Sequence, residues 1–255
     1  MYSVLTYTTQ GPVRDSNQDN FWVGESVDRG GTPFITAVLA DGMGGLTKGD
    51  EASKDLCKSI RNAVIEGKIS EQELTQEIQK INDRYYAQYK NTGERSGTTV
   101  TLIQVNLETG NYIVLHAGDS RGYLLKQSGA KHQLTEDHTA YNKYIKEGKD
   151  LSKMSRLEIL KATSKLTRCV GATEIFSLDA NKGVLDEGDK ILLASDGFWH
   201  GINGAIHEEN MRKIKDWDGE ENSGVLRELS DQFIDEKETD NQTAVLIKIN
   251  KLGDR

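Results

Sequence analysis

The chain has 255 residues, 36% hydrophobic and 28% charged, which suits one soluble globular core and excludes a disordered or membrane-embedded chain. A formal net charge of −8 argues against the basic stripe of a nucleic-acid surface and against a polybasic membrane contact. Cys57 and Cys169 show no zinc spacing, and MYSVLTYTTQGPVR is not a basic-then-apolar leader, so reduced thiols and a cytoplasmic location are expected.

In chain order, ITAVLA at 35–40 is a short apolar run of strand type. Residues 49–66 have helical period, with Ala52, Leu56, Ile60 and Val64 on one stripe. Residues 70–90 repeat that period through Leu74, Ile78, Ile81, Tyr85 and Tyr89, and Ser70 with Glu73 predicts a capping box at the start. TTVTLIQV at 98–105 and YIVLH at 112–116 read as strands joined by a hairpin turn, NLETGN. GYLLK at 122–126 is a further strand. Residues 138–168 are polar, Lys-rich and weakly periodic, with one short helix expected near 155–162; they read as a surface flap over a single domain spanning 1–255. KILLAS at 190–195, an amphipathic helix marked by Val225, Leu229 and Phe233, and TAVLIKI at 243–249 complete the pattern. The order is not a regular βαβ alternation, so it suggests antiparallel sheets with helices packed outside them.

One local pattern recurs. The run VLA leads into Asp41-Gly42, IVLHAG into Asp119-Ser120, and ILLAS into Asp196-Gly197. Asp240 stands just before the last strand, and Asp19 just before Phe21-Trp22-Val23. A single Asp-Gly after a strand is ordinarily a turn. Five carboxylates at strand ends would repel one another unless a cation lay between them. Hard divalent ions, Mg²⁺ or Mn²⁺, take such oxygen ligands, whereas zinc would call for a Cys/His cluster. The histidines at 116, 132, 138, 200 and 207 show no paired spacing and read as structural or surface residues, although Trp199 and His200 stand close enough to Asp196 to line a cleft. Packing in the core is the favoured role for Trp199. DGMGGLTKGD fails as a nucleotide loop, because Thr47 stands where either phosphate motif needs glycine. Gly42, Gly44 and Gly45 read instead as a tight turn that lets backbone carbonyls approach a metal.

Eight segments in order, GPVRDSNQDN, VLADGMGG, SGTTVTLIQV, HAGDSRGYLL, LTEDHT, LTRCVG, ILLASDGFW and TDNQTAVLI, resemble the metal-dependent protein phosphatases of type 2C in their bacterial form. The resemblance covers nearly the whole chain. It implies an α+β fold: a four-layer α/β/β/α sandwich, two antiparallel sheets flanked by helices. It implies two bridged Mn²⁺ or Mg²⁺ ions held by Asp19, Asp41, Asp196, Asp240 and the Gly42 carbonyl, with Asp41 as the bridge. A third, weaker ion would involve Asp119 and Asp196. Arg14 takes the position that binds the substrate phosphate, where a guanidinium can pair two phosphoryl oxygens. The implied reaction is hydrolysis of phosphoserine and phosphothreonine in proteins by a hydroxide that bridges the metals, with no covalent intermediate. The implied partners are phosphorylated proteins and a cognate Ser/Thr kinase with its targets; a monomer is expected, and neither nucleic acid nor membrane is.

Three departures from the family pattern stand out. Gln18 replaces a common Glu, Met43 follows Asp-Gly where animal members carry His, and Leu46 follows MGG where many bacterial members carry His. The acid that protonates the leaving oxygen is therefore unassigned, with a water on the third ion as the candidate. Two other readings compete with catalysis on phosphoproteins: a silent member that only binds, disfavoured because every expected aspartate is present, and a phosphatase for a small molecule.

Overall fold

The computed structural model describes residues 1–43, 48–92, 96–204, 207–220 and 222–253. The readings of Gly44, Gly45, Leu46 and Thr47 lie outside these residues.

The apolar runs are continuous because their two faces serve different interiors. In β3 (Pro33–Asp41), Ile35, Ala37 and Leu39 face one buried cluster while Val38 and Ala40 face another. The strand β4 (Val100–Asn106) splits likewise, with Ile103 and Val105 on one side and Val100 and Leu102 on the other. Alternation with both faces buried is what a strand in the middle of a layered fold requires.

Two five-stranded antiparallel sheets result. One has the order β2 (Asp19–Val27), β3, β4, β5 (Asn111–Ala117), β8 (Asp179–Val184). The other has the order β1 (Tyr2–Thr9), β10 (Gln242–Ile249), β9 (Lys190–Ala194), β6 (Arg121–Leu125), β7 (Lys131–Gln133). Ile191, Leu193, Val245 and Ile247 meet Ile35, Leu39 and Ile103 between the sheets.

Helices cover both outer faces. Leu56 and Ile60 of α1 (Gly49–Ile65) and Leu74 and Ile78 of α2 (Glu71–Tyr89) pack on the first sheet. The predicted capping box at α2 is present, with Ser70 accepting from the Glu73 amide and Glu73 accepting from that of Ser70. Met211 and Ile214 of α6 (Glu208–Asp216) and Leu229 and Phe233 of α7 (Val225–Asp235) pack on the second. Each such large apolar side chain contributes about 1.5–3 kcal/mol by leaving water. The expected four-layer α/β/β/α sandwich is therefore the fold.

The segment 138–168 holds more order than its sequence suggested. It contains α3 (Ala140–Lys146), a 3₁₀ turn (Leu151–Lys153) and α4 (Arg156–Thr163), where one helix was expected. Its two ends meet at a narrow neck, where the Ala140 amide donates to the Lys165 carbonyl and the Thr167 amide to that of His138. Ile145, Leu157 and Leu160 face outward, which is why apolar periodicity was weak there: the helices bury little. Among the described residues no helix is long and apolar enough to cross a membrane.

Candidate active site

The sheet edges bring the strand-end aspartates together. Asp19 opens β2 and Asp41 closes β3, and the two are direct partners across that ladder. Asp196 opens the short helix α5 (Asp196–Trp199) just past β9, and Asp240 stands just before β10, the neighbour of β9. Asp119 lies on the turn that crosses from β5 in one sheet to β6 in the other.

Backbone and hydroxyl groups hold these turns. The Asp41 amide donates to the Thr99 hydroxyl at 2.9 Å, and its carbonyl accepts from the Thr99 amide at 2.8 Å. Gly42 sits between two ladder bonds, from the Met43 amide to the Gly97 carbonyl and from the Thr99 amide to the Asp41 carbonyl. Its own carbonyl is left out of the ladder at such a position. A side chain at Gly42 would place Cβ 2.4 Å from the Gly49 carbonyl oxygen, so only glycine fits. Asn241 binds the loop that carries Arg14: its side chain donates to the Gln10 and Ser16 carbonyls and accepts from the Gln18 amide. Gln18 therefore takes part through its backbone, which also accepts from Gly42 and from the Ser53 hydroxyl.

Arg14, Asp41, Gly42, Asp119, Asp196 and Asp240 line one cleft of about 500 Å³ together with Met43, Thr99, Cys169 and His200. Asp19 lies beneath it, 5% exposed. The Arg14 guanidinium donates to Asp240 at 2.5 Å. Ser195 donates to one Asp19 oxygen at 2.8 Å, while the other Asp19 oxygen is buried without a partner.

The electrostatics of this cluster are unfavourable for bare carboxylates. Burial, then the fields of Asp19, Asp196, Asp119 and Asp240, raises Asp41 well above the usual carboxylate range. Burial pushes Asp19 up to about 7, against the hydrogen bonds from Thr243 and Ser195. Burial and Asp196 push Asp119 up to about 8, and burial and Asp240 raise Asp196. A divalent cation reverses each of these signs, and the unpartnered Asp19 oxygen is a free donor for one. The residues therefore fit hard divalent ions in chemistry. Their side chains are not preset as a cage: among the described residues no three acidic, His or Cys side chains converge on a single point. The pairing of Asp240 with Arg14 is one reason, since that carboxylate is turned to the guanidinium.

His200 also faces the cleft. Burial lowers its pKa, but the hydrogen bond with Glu238 at 3.2 Å and the field of Asp196 outweigh burial and the net shift is upward. Trp199 packs against the core and donates from its indole to the Asp119 carbonyl at 2.9 Å. The Arg121 guanidinium covers the Trp199 ring at 3.4 Å and pairs with both oxygens of Asp137. His116 and His138 are structural, as expected: they stack at 5.0 Å, and both of His116's ring nitrogens are in hydrogen bonds, with Thr101 and the Glu136 carbonyl.

A family model described as protein phosphatase 2C matches residues 13–234. The chain belongs to that family. The match takes in Arg14 and four of the five aspartates and stops just short of Asp240. The serine/threonine phosphatase stp of Listeria innocua is 28% identical over 253 residues, covering 95% of this chain and 94% of that protein. Among solved structures, the PPM Ser-Thr phosphatase MsPP from Mycobacterium smegmatis, in complex with cacodylate, superposes with a TM-score of 0.75 at 26% identity over 98% of each chain. The catalytic domain of the phosphatase PstP, in complex with two manganese ions, shares the fold with a TM-score of 0.75 at 23% identity over 97% of each chain.

The sequence had no means of finding Thr99, Ser195 and Glu238. Thr99 and Ser195 stand in apolar runs that the sequence shows, but what each binds is set by strand register and tertiary hydrogen bonds, as is the tie of Glu238 to His200.

Proposed function

We propose that this chain hydrolyses phosphoserine and phosphothreonine in proteins, using Mn²⁺ or Mg²⁺, on which its family depends. The observation that carries the reading is the gathering of Asp41, Asp119, Asp196 and Asp240 with Arg14 around one cleft, with Asp19 beneath it as the ladder partner of Asp41. Asp19, Asp41, Asp196 and Asp240, with the Gly42 carbonyl, would hold two ions, and Asp41, which feels the field of every other aspartate, would be the one they share. Asp119, with Asp196, would hold a looser third. Bound there, the ions would supply a more acidic water and positive charge beside the phosphoryl oxygens. Arg14 lines the same cleft and would orient the phosphoryl group through two parallel N–H···O bonds. Ser195 holds the Asp19 carboxylate and Thr99 holds the backbone of Asp41, so that these two groups would reorganise little in the reaction. Met43, Leu166 and Cys169 form the less polar wall of the cleft.

The natural substrates would be phosphorylated proteins, some of them targets of a cognate Ser/Thr kinase. The chain would act as a cytoplasmic monomer, one phosphatase domain with a flap at about 138–168. Phosphate release from phosphothreonine peptides, measured with Mn²⁺ and with excess chelator, tests the central claim. Turnover that persists in chelator refutes it.

A further inference from the structure

The cleft continues beyond its carboxylates. A second hollow of about 520 Å³ shares Leu166, Cys169 and Ala172 with it and extends to Tyr86, Tyr89, Lys90 and Arg168. The two therefore adjoin across the Leu166–Ala172 wall, with the aspartates and Arg14 on one side and the C-terminus of α2 on the other.

The walls of this groove are fixed. The Asn82 side chain donates to the Thr173 carbonyl at 3.1 Å and accepts from the Gly171 amide at 2.9 Å, tying the loop after the flap to α2. Tyr85 and Tyr89 stack at 6.1 Å beneath it. A groove ordered before binding spares the cost of ordering it on contact.

Among the described residues, the charged ones that line it are both cations. Arg168 is engaged by Asp179. Lys90 is exposed, lies 5.7 Å from the centre of the Tyr86 ring, and has no carboxylate partner among the described residues. The neighbouring segment 138–168 carries six lysines and two arginines against three acidic residues, within a chain whose net charge is −8. The segment beside the cleft is thus basic in an otherwise acidic protein.

We propose that this groove is a subsite for the polypeptide on one side of the phosphorylated residue, and that it favours segments with acidic side chains a few residues from the phosphate. The proposal rests on the phosphatase reading above. The phosphoryl group would sit at Arg14, the chain would cross the Leu166–Ala172 wall, and an acidic side chain would meet Lys90. An aryl phosphate is too short to reach the groove, so the subsite acts only on peptides.

The test compares p-nitrophenyl phosphate with two phosphothreonine peptides, one flanked by Glu and one by Lys, on wild type, Lys90→Glu and Tyr86→Ala. Wild type should favour the Glu-flanked peptide by about fivefold in kcat/KM, the scale of an exposed ion pair, with the preference shrinking as salt is added. Lys90→Glu should abolish or invert the preference while p-nitrophenyl phosphate turnover changes by less than about twofold. Tyr86→Ala should weaken both peptides and spare the aryl phosphate. Equal rates on the two peptides by wild type, or a loss in Lys90→Glu that is the same for peptide and aryl phosphate, overturns the subsite alone. A wild-type protein that hydrolyses none of the three overturns the phosphatase reading and the subsite with it.

Discussion

Arg14 donates a 2.5 Å hydrogen bond to Asp240, so the group assigned to substrate phosphate is paired with a carboxylate assigned to metal. A cation held by Asp240 would compete with the guanidinium for the same oxygens. Arrival of the ion would release Arg14 toward the cleft, coupling metal binding to readiness for phosphate. Arg14→Ala should therefore bind Mn²⁺ at least as tightly as wild type by calorimetry. It should lose about 1.5–3 kcal/mol of charge-assisted bonding to phosphate, or about tenfold to a hundredfold in kcat/KM. Weaker Mn²⁺ binding in that variant would contradict the competition.

Asp41→Asn removes the carboxylate that lies in the field of all four others. Activity should fall by more than about a hundredfold, the scale reached on losing groups that merely orient metal ligands. Saturating Mn²⁺ should raise the melting temperature of wild type by about 5–10 °C and leave the variant almost unmoved. Circular dichroism should show the same secondary structure in both.

Asp119→Ala would separate the looser ion proposed there from the proposed pair. With a good leaving group such as p-nitrophenolate, turnover should be largely retained. With a poor one, such as the serine alkoxide, it should fall further, because protonation of the leaving oxygen then limits the rate. An equal loss on both substrates would remove the role assigned to Asp119 in leaving-group protonation.

His116 supplies a pH dependence of stability. It is buried and neutral, its pKa pushed down to about 4 by burial and then by His138. The unfolded chain takes up a proton below about 6.5 and the folded one does so only below about 4, so this contribution is complete above 6.5 and is lost as pH falls through that window. The full loss is about 3 kcal/mol, at about 1.4 kcal/mol for each pH unit between the two values. Urea titrations should show a shallower decline from pH 6.5 to 4 in His116→Gln than in wild type; parallel curves would exclude His116 as the source.

Gly42→Ala tests the close approach of backbone at the site. The new Cβ would meet the Gly49 carbonyl oxygen at 2.4 Å and the Gln18 carbonyl oxygen at 2.7 Å, both backbone atoms that cannot swing away. A loss of about 3 kcal/mol, at the upper end for overpacking, should appear as a melting point about 6–12 °C lower.

The central strands and the helices α1, α2 and α7 were legible because their burial is strong enough to leave a period. The edges were not. The strand β8, DANKGV, is mostly exposed and polar, and only its pairing with β5 makes it a strand. The strand β1 alternates weakly, with Leu5 its one fully buried side chain, and passed as an unremarkable N-terminus. The helix α6 carries three acidic and three basic residues in nine positions, so Met211 and Ile214 are too few to signal it. In the site, the aspartates were visible because each abuts an apolar run. His200 could be named only by proximity to Asp196. Its tie to Glu238 depends on a loop 38 residues away that the fold alone brings near.

The division of the aspartates between the sheets has a mechanical consequence. Asp19 and Asp41 belong to one sheet, Asp196 and Asp240 to the other, and Asp119 to the crossing between them. The cleft therefore works like a vernier, reading the alignment of two plates that meet through an apolar layer that includes Ile35, Leu39, Ile103, Leu193 and Val245. A substitution deep between the plates, far from any carboxylate, can let them slip by a fraction of an ångström without melting either. Catalysis would register that slip first, so turnover is a finer gauge of inter-sheet packing in this protein than its melting temperature.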